Sequence, residues 1–255
     1  MRLKDKIALI TGSSRGIGKS IALQYAAEGA KVIVSATTLE SAEKVANEIK
    51  RSGGEAFATA VDIANRDNVL AMYERIFNKY DHLDIVVNNA GISMTKSTIE
   101  LTENDWDRTL DINLKGTFFS CQIVAKKMFA QREGCIINIS SIWGSAAAPE
   151  RAAYCASKWG VEGLSKVLAI EWASKGIRVN CIAPGYTYTD QIKELIERGI
   201  VKEGVFKKRI PLQRFASVKD IGNAAIFLAS DEASYINGEV IRVDGGFNAF
   251  GYLIE

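Results

Sequence analysis

The sequence predicts an α/β fold: a single domain over residues 1–255 with a doubly wound parallel sheet of about seven strands and helices on both faces. Short apolar runs rich in β-branched residues alternate with longer amphipathic segments, which is the order that strand–helix–strand crossovers require. The runs are apolar throughout, as in strands that are covered on both faces. No low-complexity linker or change in composition divides the chain, so we expect one domain.

Seven runs are predicted strands, in chain order 7–10, 31–35, 56–61, 83–87, 135–139, 177–182 and 240–243. Six amphipathic segments are predicted helices, at 16–28, 39–52, 66–79, 103–131, 152–175 and 218–229. The stretch 186–216 breaks the alternation and is expected to hold one or two helices. Because it follows the carboxyl end of a strand, where α/β folds insert substrate-covering segments, we expect it to form a substrate lid.

Charge and composition argue against several classes of protein. The formal net charge is +2 and the basic residues are dispersed, so we expect no nucleic-acid partner and no membrane partner. No apolar stretch approaches the roughly 20 residues of a membrane span, and no secretory signal is recognised, so we expect a cytoplasmic protein. The four cysteines are widely spaced and there is one histidine. We therefore expect reduced thiols and no metal site.

A glycine-rich turn from Thr11 to Gly18 joins the first strand to the first helix. Glycines let the backbone turn tightly and approach a pyrophosphate, whose charge a helix N-terminus favours. A tight turn alone also selects glycine, but the position between strand one and helix one favours dinucleotide binding and a Rossmann-type sheet. The candidate contacts in this turn are Gly12, Ser14, Arg15, Gly16, Ile17 and Gly18.

The ends of strands two and three bear on the choice of dinucleotide. The stretch 35–38 carries no carboxylate that would repel a 2′-phosphate, and Arg15 can supply the positive charge which that phosphate needs. We therefore favour NADP(H), with Thr37 as a contact and NAD(H) as the alternative; the competing interpretation is that Arg15 only faces solvent. Asp62, followed by Ile63, can accept a hydrogen bond from the adenine amino group, or can cap the next helix.

Tyr154 and Lys158 form a Tyr-x-x-x-Lys pair in a predicted helix. The spacing of four places both side chains on one face, where the ammonium can stabilise a phenolate. A free tyrosine has a pKa of about 10, too high for a base near neutrality without such help. Ser140 and Ser141 follow the fifth predicted strand and can present a hydroxyl beside the tyrosine. The spacing to the tyrosine favours Ser141 over Ser140.

These motifs together resemble the short-chain dehydrogenase/reductase family. The resemblance is carried by Thr11–Gly18, Asn88–Gly91, Asn113, Ser141, Tyr154, Lys158 and Pro184–Gly185, in the family's order and spacing. It runs from Lys6 to Gly246. It implies an NAD(P)(H)-dependent oxidoreductase that transfers a hydride between nicotinamide and a carbonyl or secondary alcohol, assembled as a homotetramer.

The resemblance also implies roles for single residues. Tyr154 is the general acid in reduction and the base in the reverse direction, and Lys158 lowers its pKa and binds the nicotinamide ribose. Ser141 polarises the substrate oxygen, and Asn113 holds a water in a proton relay. Further cofactor contacts are implied at Asn89, Ala90, Gly91, Pro184, Gly185, Thr187 and Thr189, although bracing of the sheet explains 89–91 equally well.

The substrate class is left open between two readings. The overall run of sequence is nearest to 3-oxoacyl-(acyl-carrier-protein) reductases, which implies a substrate carried on acyl carrier protein and contacts from Arg132 and Lys175. Basic residues at helix ends also suit the helix dipole alone. Sugar-acid and polyol dehydrogenases of the gluconate 5-dehydrogenase type share the same scaffold.

The predicted substrate pocket consists of Ser141, Trp143, Tyr154 and Tyr186. Its aromatic wall suits a sugar, an acyl chain or simple packing of the lid. A catalytically silent nucleotide-binding sensor is the alternative from another class. The sequence disfavours it, because no catalytic position of the family pattern is lost.

Overall fold

The computed structural model describes residues 1–199 and 202–251. Its strands are β1 (Ile7–Ile10), β2 (Lys31–Ala36), β3 (Ala56–Ala60), β4 (Ile85–Asn88), β5 (Gly134–Ile139), β6 (Ile177–Pro184), β7 (Thr187–Tyr188), β8 (Ala216–Ser217) and β9 (Val240–Val243). Seven of them form one parallel sheet in the order β3-β2-β1-β4-β5-β6-β9. The predicted doubly wound parallel sheet is confirmed.

The helices are α1 (Gly16–Ala27), α2 (Leu39–Arg51), α3 (Arg66–Phe77), α4 (Glu103–Leu110), α5 (Gly116–Gln131), α6 (Ala152–Trp172), α7 (Asp190–Glu197), α8 (Glu203–Lys208) and α9 (Val218–Ala229). Side chains of α1, α2 and α9 pack on one face of the sheet, and those of α3, α5 and α6 pack on the other. Two apolar cores therefore sandwich strands that are themselves apolar, which explains the unbroken apolar runs in the sequence.

The order of the sheet fixes where ligands can bind. The chain builds outward from β1 to β3 and then returns with β4 on the other side of β1. Loops that leave β1 and β4 therefore diverge to opposite faces and open a crevice at the carboxyl edge. Open α/β sheets bind their ligands in this crevice.

Local signals set the helix boundaries close to where the sequence predicts them. Thr38 caps α2 and Asn65 caps α3, each by accepting backbone N–H bonds from the first turn. Such caps satisfy donors that the helix itself leaves open. The predicted helix 103–131 is continuous but contains a π-helical turn, Asp111–Lys115, between α4 and α5. A π turn has one extra residue per loop and is frequent at functional sites.

The segment 186–216 holds the two short helices α7 and α8, as predicted, and two strands that were not predicted. β7 and β8 pair in parallel as a separate two-stranded sheet. The segment covers a small apolar cluster that includes Ile142, Phe215 and Phe247. Residues 200 and 201 of the expected lid, and residues 252–255 of the expected domain, lie outside the described residues.

Across residues 1–199 and 202–251, no helix has both the length and the apolar character needed to cross a bilayer. The same residues contain no group of three or more histidine, cysteine or acidic side chains arranged to hold a metal ion. All four cysteines are free.

Candidate active site

The glycine turn is held in place by the loop after β4. Gly12 has φ +63°, and a side chain there would put its Cβ 2.8 Å from the Cα of Ala90. The Asn89 side-chain amide donates to the carbonyl oxygens of Thr11 at 2.9 Å and Gly12 at 3.0 Å. The Thr11 hydroxyl in turn accepts the backbone N–H groups of Asn89 and Ala90. Asn89 and Ala90 therefore brace the turn, and they also line the cleft beside it.

A cleft of about 900 Å³ follows the carboxyl ends of β1 to β4. The residues of the predicted cofactor set that line it are Gly12, Ser14, Arg15, Gly16, Ile17, Gly18, Thr37, Asp62, Ile63, Asn89, Ala90, Gly91 and Thr189. Helix α1 begins at Gly16 with no side-chain cap, so no side chain accepts from its first N–H groups. Open amides at a helix N-terminus are suited to bind a phosphate group.

Two exposed residues line this cleft: Arg15 in the glycine turn and Thr37 directly after β2. Asp62 is also exposed, and its Oδ1 accepts the backbone N–H of Ala64 at 3.1 Å. The cap of α3 is Asn65, so Asp62 does not cap that helix. The Asp62 carboxylate is thus available at the far end of the cleft from Tyr154.

Three of the four predicted catalytic residues, Ser141, Tyr154 and Lys158, line a second cavity, of about 300 Å³, that adjoins the first; Asn113 is not among its lining residues. The two cavities share Ile17, Asn89, Gly91, Ile92 and Thr189. The predicted residues that line the second cavity are Ser141, Trp143, Tyr154, Lys158, Pro184, Gly185, Tyr186, Thr187 and Thr189, together with Ile17, Asn89 and Gly91. The whole predicted cofactor and substrate set therefore lines one continuous crevice at the carboxyl edge of the sheet.

Lys158 is almost completely buried, with 5% of its surface exposed. Its ammonium donates to the carbonyl oxygen of Ile139, the last residue of β5, at 2.8 Å. Burial lowers the pKa of Lys158 from 10.5 to about 8, because a charged amine is poorly solvated there. The backbone bond fixes the amine at the floor of the cavity.

Tyr154 lies one helical turn before Lys158, and its phenol is also withdrawn from solvent. Burial raises the pKa of Tyr154, while a hydrogen bond with Ser141 and the charge of Arg151 oppose that increase. The Lys158 ammonium lies 5.8 Å from the centre of the tyrosine ring. The Lys158 ammonium itself is directed to the carbonyl of Ile139. That Lys158 lowers the pKa of Tyr154 in the working enzyme stays a prediction.

Asn113 sits in the π turn and is buried. Its Oδ1 accepts the backbone N–H of Ile92 at 2.8 Å, and its Nδ2 donates to the Ile92 carbonyl and the Ser157 hydroxyl, both at 3.0 Å. Ser157 donates onward to the carbonyl of Tyr154 at 2.7 Å. The Asn113 side chain thus ties the loop after β4 to helix α6. The predicted water-holding role is not tested by these contacts.

The two serines after β5 have different surroundings. Ser140 is buried, and its hydroxyl donates to the Glu162 carboxylate at 2.7 Å. The Ser141 hydroxyl oxygen accepts the backbone N–H of Trp143 at 3.2 Å and keeps its proton available beside Tyr154. These contacts favour Ser141 over Ser140 as the hydroxyl that meets a substrate.

Sequence reasoning missed two side chains at this site. Glu162, which holds Ser140, lies four residues after Lys158, and that helical spacing is the signal that could have found it. Arg151 lies three residues before Tyr154, with its guanidinium 6.0 Å from the tyrosine ring centre. Both signals are weak in sequence, because charged residues at helical spacing usually form a solvated face.

Trp143 and Tyr186 form the predicted aromatic wall. Their rings meet edge to face with centres 6.4 Å apart, and Tyr186 also stacks on Phe215. The wall is therefore both a lining of the cavity and part of the apolar cluster under segment 186–216. Trp143 and Tyr186 therefore both line the cavity and pack in the apolar cluster, so the two predicted alternatives apply together.

The two basic residues considered for a carrier protein lie elsewhere. Arg132 lies two residues before β5 and Lys175 two residues before β6, at the amino edge of the sheet. The backbones of Arg132 and Gly176 adjoin each other. Within one chain, this pair is at the edge opposite to Tyr154 and does not flank the mouth of the crevice.

Comparison with known proteins agrees with this geometry. A family model described as enoyl-(acyl carrier protein) reductase matches residues 12–248. The 3-oxoacyl-(acyl-carrier-protein) reductase FabG of Staphylococcus aureus (strain Mu50) is 46% identical over 242 residues, covering 94% of this chain and 97% of that protein. The D-threitol dehydrogenase of Mycolicibacterium smegmatis is 41% identical over 248 residues, covering 96% of this chain and 94% of that protein.

Among solved structures, the gluconate 5-dehydrogenase of Burkholderia cenocepacia J2315 in complex with NADP and tartrate superposes with a TM-score of 0.93. It is 35% identical, and the match covers 98% of this chain and 97% of that one. The family resemblance drawn from the motifs is confirmed. The chain belongs to the short-chain dehydrogenase/reductase family of oxidoreductases.

Proposed function

We propose that this chain reduces the carbonyl of a 3-oxoacyl thioester with NADPH, and that it catalyses the reverse oxidation of the alcohol. The observation that carries the proposal is the continuous crevice in which Tyr154, Ser141 and Lys158 adjoin the glycine turn. A dinucleotide that lies along such a crevice, with its pyrophosphate at the glycine turn, would have its nicotinamide end next to the proton donor. The similarity to FabG proteins supports the thioester as the substrate.

The residues of the cleft fit an NADP(H) molecule. The open amides at Gly16 suit a pyrophosphate, and Arg15 and Thr37 suit a 2′-phosphate. Asp62 suits the adenine, and the contacts at Pro184, Gly185, Thr187 and Thr189 suit the nicotinamide end. When bound, NADPH supplies the hydride.

The chain's own groups then handle the proton. Ser141 hydrogen bonds to the substrate oxygen and orients it, and Tyr154 donates its proton to that oxygen during reduction. Lys158, held by the Ile139 carbonyl, binds the ribose hydroxyls and keeps positive charge near the phenolate that forms. Asn113 keeps the loop after β4 in register with α6, so that Tyr154 faces the substrate.

A second substrate class is favoured by specific observations. The aromatic wall of Trp143 and Tyr186 suits the C–H face of a sugar, and one solved relative is a gluconate 5-dehydrogenase. The alternative is therefore a sugar-acid or polyol dehydrogenase. In either case we propose that segment 186–216 closes over the substrate and that the enzyme is cytoplasmic.

The test is a panel of acetoacetyl thioester, ethyl acetoacetate, 5-keto-D-gluconate, D-gluconate and D-threitol, each tried with NADP(H) and NAD(H). Absorbance of the reduced nicotinamide is followed. We expect the highest kcat/KM for the thioester with NADPH. Preference for a sugar acid would overturn the substrate assignment, and absence of turnover with every compound would favour the silent sensor.

Arg15→Ala tests the cofactor preference. Loss of a charge-assisted bond to the 2′-phosphate is expected to raise the KM for NADPH by about 10-fold or more, with little change in the KM for NADH. Steady-state kinetics with both cofactors provide the measurement, and Arg51→Ala, which removes an exposed arginine of α2, is the control. Equal loss for both cofactors would contradict a 2′-phosphate contact.

We also propose a homotetramer, as is usual in the family. Three apolar side chains of α6, Trp159, Val167 and Ile170, are 54%, 51% and 81% exposed and lie on one side of the helix. Unlike these, Val161 and Leu168 are buried in the chain's own core. An exposed apolar stripe of this kind marks an association surface. Ile170→Glu is expected to shift the sedimentation mass from tetramer toward smaller species; an unchanged mass would place the interface elsewhere.

A further inference from the structure

A third cavity, of about 770 Å³, adjoins the catalytic one. The two cavities share Trp143 and Tyr186, so the aromatic wall separates them. The remaining lining combines apolar residues with two arginines, a serine and an asparagine: Ser145, Ala146, Ala147, Ala148, Pro149, Val205, Phe206, Arg209, Arg242, Phe247, Asn248 and Ala249. Among residues 1–199 and 202–251, none that lines this cavity carries a carboxylate.

The Arg209 guanidinium lies beside two aromatic rings. Its guanidinium lies 5.0 Å from the ring centre of Phe247 and 5.6 Å from that of Phe250. One N–H donates to the Phe250 carbonyl at 2.6 Å. A guanidinium has five N–H donors, so most of them remain for a ligand after the side chain has been positioned.

Arg242 and Asn248 meet at a shared partner. The Arg242 Nε and the Asn248 Nδ2 both donate to the Ser145 hydroxyl, at 3.2 and 2.9 Å. The Asn248 Oδ1 is buried and accepts no hydrogen bond from any described residue. A buried acceptor without a donor is costly, and a hydroxyl donor from a ligand would relieve that cost.

Neighbouring carboxylates do not neutralise the two arginines. Among the described residues, neither Arg209 nor Arg242 has a carboxylate oxygen within 4.0 Å. Arg242 also borders a further cavity that contains two acids. Of these, Asp220 is paired with Arg214 at 2.8 Å, and Asp244 accepts the backbone N–H groups of Gly246 and Asn248.

We propose that this cavity binds the anionic end of the substrate, with Arg209 and Arg242 as donors to a carboxylate or phosphate and Asn248 as acceptor for a hydroxyl. The inference rests on the proposed function, since it assigns the part of the substrate beyond the aromatic wall from Tyr154. Two sources share this chemistry: the carboxylate of a sugar acid, and the phosphate on the pantetheine arm of a carried thioester.

Binding of matched anionic and neutral ligands tests the proposal. Isothermal titration is done in a Tyr154→Phe background, which prevents turnover heat, with NADP⁺ present and again without it. One pair of ligands is D-gluconate and D-glucitol, and the other is 4′-phosphopantetheine and pantetheine. Arg209→Gln and Arg242→Gln are compared with Arg51→Gln, which removes one exposed charge on α2.

We expect the parent to bind at least one anion about 10-fold more tightly than its neutral partner. Each cavity variant should lose most of that preference while its affinity for the neutral ligand stays within about twofold, and the control should match the parent. The pair that shows the preference identifies the source of the anion. An anion-to-neutral affinity ratio near one in the parent, or a ratio unchanged in both variants, would overturn the proposal. These titrations measure binding alone. Failure of the proposed reaction would instead appear in the turnover panel, so the two failures can be distinguished.

Discussion

Tyr154→Phe is expected to lower kcat by about 10²- to 10⁴-fold, because the substrate oxygen loses its proton donor. Phenylalanine keeps the aromatic ring and its packing and removes only the hydroxyl. NADPH affinity and the far-ultraviolet circular dichroism spectrum should therefore stay close to those of the wild type. Turnover with the best substrate of the panel and NADPH binding by fluorescence are the two measurements.

The matched control for this substitution is Tyr235→Phe, since Tyr235 is fully exposed and lies near the amino edge of the sheet. It should retain wild-type kcat. Wild-type turnover in Tyr154→Phe would refute the assigned mechanism, and a parallel loss of NADPH binding would indicate that the tyrosine acts mainly in cofactor binding.

Lys158→Met is expected to abolish most activity and yet stabilise the fold at neutral pH. Burial lowers the pKa of Lys158 from 10.5 to about 8, which corresponds to a cost of about 3 kcal/mol for keeping the amine charged in the native state. Methionine removes that cost and forfeits the bond to Ile139, worth about 1 kcal/mol. At pH 7 the variant should therefore be about 2 kcal/mol more stable toward urea.

The sign of the pH dependence follows from proton binding. Between pH 8 and 10.5, the unfolded wild-type chain holds a proton on Lys158 that the folded chain has released. Unfolding free energy of the wild type therefore rises with pH, relative to the variant, across that window. Urea denaturation of both proteins at pH 7 and pH 10 should show a smaller difference in unfolding free energy between variant and wild type at pH 10. A variant less stable than wild type at pH 7, or an unchanged gap, would show that Lys158 carries no such cost.

Much of the fold was predictable because its signals are local. Apolar runs and glycine placement gave the strands and the first turn, and β1 and β9 have the predicted bounds. Strand β4 begins two residues later than predicted. Just before it, the Asp84 carboxylate accepts the backbone N–H of Ile7 at 2.7 Å, a contact between distant segments that leaves no sequence signal. The two-residue strands β7 and β8 are too short to leave a periodic pattern.

The π turn at Asp111–Lys115 left no signal in the apolar period, since one inserted residue barely changes it over a helix as long as 103–131; the family resemblance alone implied a kink at Asn113. In the site, the residue types and their spacing along one helix identified Tyr154 and Lys158. Contacts between distant segments could not be predicted from the sequence. The hydrogen bond from Lys158 to Ile139 and the placement of Arg209 and Arg242 in one cavity both depend on tertiary packing.

Helix α6 presents two faces to different environments. Tyr154 and Lys158 point into the crevice, while Trp159, Val167 and Ile170 project outward from the same rod. A helix packed against a neighbouring subunit along its exposed face would move less on its opposite face. In the proposed tetramer, subunit contacts would therefore restrict the motion of the Tyr154 phenol without contacting it, and dissociation of the tetramer would be expected to lower activity.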